Sequence, residues 1–183
     1  MKHNLKITAL LLAMFIVTQL IGIYVVDYYS PENVVLPFGL DPPQPQQPSD
    51  YNWFLSGIVF AFIIAVLLLF LFTRFKLRLI LKIWFFVVII LALSISFLAI
   101  LPIKTILVAL ALAIPLALIK MSGKSFLVHN FTELLIYPGI ASVFVPILNV
   151  WTIVALLILI SVYDVWAVWH SGIMQKMAKY QIN

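Results

Sequence analysis

Two carboxylates stand where apolar sequence makes them expensive. Asp164 lies in the apolar run from Val150 to Trp169, and Glu133 in the run from Phe126 to Val145. An Asp at the centre of a membrane helix costs roughly 2.5–3.5 kcal/mol on insertion scales, so such a residue is kept for a use. Three uses suit a lone intramembrane carboxylate. It can relay protons or ions, pair with a cation in assembly, or form half of an aspartyl pair that activates water. Position alone leaves all three open, with transport ahead.

The surroundings of the two acids differ. Asp164 precedes His170 by six residues, so it sits roughly 9 Å inside that end of its helix. Ser161 and Ala167, three residues to either side, share its face. Such small neighbours let another helix approach closely. The side chain of Tyr163 projects about 100° away around the helix. Glu133 stands four residues after His129, and the two make a candidate polar pair on one helix face. Two ligands without a third do not hold a metal, and no H-E-x-x-H run occurs. Cysteine is absent, which excludes thiol catalysis, disulfides and thiolate metal sites. No metal and no organic cofactor is expected.

The elements that carry these residues follow from composition. Of 183 residues, 65% are hydrophobic and 9% are charged. That is too little charge for the surface of a soluble domain. A helix crossing the hydrocarbon core needs about 20 apolar residues. Six runs meet or approach this: Ile7 to Val26, Trp53 to Phe72, Ile83 to Leu101, Ile103 to Ile119, Phe126 to Val145 and Val150 to Trp169. The fourth is short, and Lys104 and Lys120 can snorkel from its ends. The first is too long for a signal-peptide core, and no A-x-A-like site follows it, so it is expected to remain as a helix. The expectation is an all-α, polytopic membrane helix bundle of six transmembrane helices, forming a single membrane domain over 1–183.

Charge sets the expected orientation. With the N-terminus in the cytoplasm, ten of the eleven Lys and Arg residues fall inside and only Lys104 falls outside. Both termini are then cytoplasmic, and the chain is an integral, multi-pass protein of the cell membrane. The net charge of +5 lies in short loops, where it sets topology and lies against the bilayer, so no nucleic-acid partner is expected. The loop from Asp27 to Asn52 lies outside and has no Lys or Arg. Its stretch from Asp41 to Pro48 is rich in Pro and Gln, and is expected to be extended or disordered. Pro115 and Pro138 are expected to bend their helices, and Pro146 to end the fifth.

The run Ile160-Ser-Val-Tyr-Asp164, followed by Ala167 and Val168, resembles the sixth transmembrane helix of presenilins and signal peptide peptidases. The segment from His170 to Tyr180 is similar to the amphipathic stretch after that helix in archaeal presenilin homologues. The run from His129 to Leu135, before Tyr137-Pro-Gly139, is similar to their fifth helix. The resemblance implies an intramembrane aspartyl endopeptidase with Asp164 as one of its two catalytic acids. It implies that Tyr163 and Ser161 support the site or contact substrate, and that the substrate is a transmembrane protein. The family's second Asp lies in a Gly-x-Gly-Asp motif, and a Pro-Ala-Leu motif completes the site. Neither occurs here. The chain is therefore expected to need a C-terminal half carrying both motifs, and to be inactive alone. The alternative is a small transport or scaffold protein that uses Asp164 and Glu133 for protons or packing.

Overall fold

The computed structural model describes residues 5–30, 34–40, 45–75, 77–102, 104–123 and 126–166. Among them the chain is helical, without strands. The helices are α1 (Leu5–Tyr29), α2 (Asp50–Arg74), α3 (Arg78–Ile100), α4 (Ile106–Ser122), α5 (Phe126–Phe144) and α6 (Val150–Trp166). Short 3-10 turns occur at Pro37–Gly39 and Val145–Ile147. α1, α2, α3 and α5 with its following turn supply stretches long and apolar enough to cross a membrane. α4 and α6 are shorter apolar helices of 17 residues each. This is a multi-pass membrane helix bundle.

The helix ends depart from the apolar runs by up to five residues, because hydrogen bonds rather than hydropathy decide where a helix stops. α2 begins at Asp50, whose carboxylate accepts the backbone N–H groups of Gln46 and Gln47 at 2.8 and 2.9 Å. Its own N–H bonds the Gln47 carbonyl at 3.0 Å. The end of the Pro/Gln segment is thus a turn tied to α2, where the sequence suggested an extended chain. Residues 41–44 of that segment lie outside the described residues. α4 closes on Gly123, whose positive φ of 65° suits the left-handed cap position, and its N–H bonds the Lys120 carbonyl.

By packing, the helices fall into two compact units. One gathers α1, α4, α5 and α3 from Lys82 onward; the other gathers α2 and α6. In the first, α3 is the central element. Ala92, Leu93, Ser94, Ile95, Ser96 and Phe97 are all buried. Six consecutive residues at about 100° each point in every direction, so this stretch is enclosed on all sides.

Small side chains and polar clasps hold the first unit together. Gly139 of α5 lies against the backbone of Ala92 on α3, and a Cβ there would run into the Ala92 carbonyl. Pro138, also buried, supplies no N–H to the helical turn before it. In that turn the Ser96 hydroxyl, from α3, donates to the Leu135 carbonyl at 2.6 Å. This bond ties α3 to α5 one residue from the carbonyl of Leu134, which Pro138 leaves without its helical donor. Ala109, Ala113 and Ala117 of α4 are buried at helical spacing. The Tyr29 hydroxyl of α1 donates to the Ile95 carbonyl at 2.9 Å. Pro115 stays within α4, and α5 ends just before Pro146.

Lys104, the one cation expected outside, has a defined place. Its ammonium donates to the carbonyls of Leu98 and Ala99, at 2.9 and 2.7 Å, and lies 4.3 Å from the Tyr28 ring centroid. Those carbonyls belong to the last turn of α3, where a cation is favoured by the helix dipole. The aromatic face adds a second attraction.

Candidate functional site

Asp164 sits near the end of the described part of α6, in the second unit. The helix starts from a reciprocal cap. The Asn149 side-chain oxygen accepts the Thr152 N–H at 2.8 Å, and the Thr152 hydroxyl oxygen accepts the Asn149 N–H at 2.8 Å. This is a capping-box arrangement with Asn and Thr in the two roles, and it fixes where α6 begins after the Pro146 turn. Asp164 then follows from helical rise, fourteen residues on and about 21 Å along the axis. The visible signal of this cap in the sequence is Asn-x-x-Thr ahead of an apolar run.

The neighbours of Asp164 are sorted by the helix. Tyr163 turns toward α2 and meets Phe62 edge-on, with ring centroids 5.2 Å apart and an interplanar angle of 88°. The contact lies twelve residues after Asp50 in α2 and thirteen after Val150 in α6. The Ser161 hydroxyl donates to the Leu157 carbonyl of its own helix at 2.7 Å. Its bonding is therefore satisfied locally. Asp164 itself is exposed, and no described side chain bonds its carboxylate. Asp50, the other described carboxylate of this unit, lies at the opposite end of α2 and is engaged by two backbone N–H groups. It is not placed to pair with Asp164. Ala167, Val168, Trp169 and the segment from His170 to Tyr180 lie outside the described residues.

His129 and Glu133 belong to the first unit, on α5. They form a trio with Lys120 of α4. The Lys120 ammonium meets the Glu133 carboxylate at 2.6 Å and the His129 Nδ1 at 3.5 Å. The His129 Nε2 is 3.7 Å from the same carboxylate oxygen. Tyr137, one turn further on, lies near Glu133. The His129–Glu133 pair is visible in the sequence, but the third member, Lys120, is not, because helix spacing shows neighbours within a helix and not across two. An ammonium seated on Glu133 neutralises it without a metal. Among the described residues no group of three His, Asp or Glu side chains could hold a metal ion.

The structure is thus a membrane helix bundle with an Asp in its sixth helix, next to a Tyr that packs on α2. The family of signal-peptide peptidase and presenilin aspartyl proteases matches the chain over residues 12–183, and the protein belongs to it. No curated protein and no solved structure matches the chain.

Proposed function

We propose that this chain supplies the first catalytic acid, Asp164, of an enzyme that hydrolyses peptide bonds of transmembrane substrates. The family match, which runs through α6 and the Tyr163-Asp164 pair, carries this reading. Two like charges at contact do not both ionise, so such a pair shares one proton and titrates as a unit. The ionised carboxylate takes a proton from water as it attacks the peptide carbonyl. The protonated one hydrogen-bonds the forming oxyanion and then helps the amine leave. A helical substrate shields its own carbonyls, so it must unwind locally at the site. Tyr163 is proposed to hold the Asp164 face of α6 in register through Phe62, and Ser161 to leave room beside the acid.

Residues 1–183 contain no Gly-x-Gly-Asp motif, so the partner Asp must come from another segment. The chain alone is therefore expected to be inactive. Co-expression with a C-terminal half bearing that motif should give cleavage of a single-span substrate. Asp164→Asn should lower the rate on the order of 10³-fold or more. Cleavage that survives Asp164→Asn would overturn the reading. The family match weighs against a transport or scaffold role.

The distribution of Lys and Arg supports cytoplasmic termini. Because the chain has no cysteine, single cysteines report topology without background. Gln47→Cys should react with a membrane-impermeant thiol reagent from outside the cell. Lys124→Cys should react only after the membrane is opened.

A further inference from the structure

A groove between α3 and α4, within the first unit, takes no part in the reading above. Lys82, Ile83 and Phe86 of α3 and Leu118, Met121 and Ser122 of α4 line it, around a cavity of about 350 Å³. It lies where α3 begins and α4 ends. Its lining is of two kinds. Ile83, Phe86, Leu118 and Met121 make an apolar wall, and Lys82 stands at its rim. The Ser122 hydroxyl already donates to the Ile119 carbonyl, so the ammonium is the donor on offer.

The bonding of the lysines singles Lys82 out. Lys104 is taken up by carbonyls of α3, and Lys120 by Glu133. Among the described residues, Lys82 has neither a hydrogen bond nor an ion pair. In a membrane protein, an unpaired ammonium above an apolar groove between two helices matches a molecule with an anionic head and a hydrocarbon body. From Lys82 to Phe86 the groove is one helical turn, or about 6 Å deep. That spans a phosphate, a glycerol unit and the first methylenes of a chain.

We propose that this groove binds an anionic phospholipid, with its phosphate on the Lys82 ammonium and the start of one acyl chain against Phe86 and Leu118. A zwitterionic lipid carries its own ammonium, which competes with Lys82 for the phosphate. The site therefore selects anionic head groups. Nothing in it depends on the protease reading.

The test is lipid retention by the full chain in detergent, read by native mass spectrometry against equal amounts of phosphatidylglycerol and phosphatidylcholine. Phosphatidylglycerol should be retained about fivefold more, the worth of one lysine near an anionic head group. Lys82→Gln should erase the preference, and Lys82→Arg should keep it. Leu118→Trp, which fills the groove and leaves the charge, should lower retention of both lipids. Arg74→Gln removes equal charge from the other unit and should change nothing. The proposal fails if the preference survives Lys82→Gln, or falls equally in Arg74→Gln. It also fails if Leu118→Trp has no effect, or if inorganic phosphate competes as well as the lipid, since either would mark a bare anion site.

Discussion

In the four-helix unit, α3 is enclosed over six successive residues, and contacts between helices are made by Gly139, Ala92, Ser96 and the alanines of α4. In the α2–α6 pair the sequence is just as apolar, yet Thr152 is the only buried residue among those described. Trp53, Phe60, Trp151 and Leu157 are all exposed. The difference comes from side-chain size and polarity rather than hydropathy. Lipid tails are as apolar as leucine, so hydrophobicity does not draw two membrane helices together. Small residues that allow backbone contact do, and so do polar groups that need a partner. The first unit has both. The second has one aromatic contact and a carboxylate left exposed. Asp164, the acid proposed to be catalytic, lies in the less enclosed of the two units.

Stability measurements can break that contrast, read by unfolding in detergent micelles. The largest effect is expected at Gly139. Gly139→Leu should destabilise the first unit by about 3 kcal/mol or more, because overpacking at a backbone contact has no flexible neighbour to give way. Near-normal unfolding of that variant would mean that the α3–α5 contact does not hold the unit. Next is the ion pair. Lys120→Met should cost about 2 kcal/mol by leaving Glu133 charged in an apolar setting, and adding Glu133→Leu should recover most of it. A double variant as weak as the single one would show that the charges do more than neutralise each other. Ser96→Ala should cost about 1 kcal/mol, the usual worth of one hydrogen bond. The smallest effect is expected in the other unit. Asp164→Asn should shift stability by no more than about 0.5 kcal/mol, as for an exposed, unbonded side chain. If it destabilised as much as Lys120→Met, Asp164 would be a structural residue and the contrast would collapse.

The residues proposed for the site stand out in the sequence. An Asp in an apolar run stands out because charge is costly there, and the motif Tyr163-Asp164 indicates the family. The direction of Tyr163 followed from helix geometry, but its partner Phe62 did not, since they lie about a hundred residues apart in the chain. The trio of Lys120, His129 and Glu133 was half visible for the same reason. Lys104 shows the opposite case. Expected to lie outside, it is the one cation that runs against the topology rule, and its use as a cap for α3 is clear only with Leu98 and Ala99 beside it.

The sequence by itself determined the membrane class, the six apolar helices of the described residues and the family, and it singled out Asp164 as the acid to test. Each is recorded in local quantities: the length of an apolar run, the price of a buried charge, a short motif. Tertiary structure alone decided which helices pack, that Gly139 must be glycine because Ala92 lies against it, and that Ser96 serves a carbonyl beside Pro138. These depend on contacts between distant segments, and in a lipid solvent no pattern of hydropathy along the chain encodes which apolar face meets which.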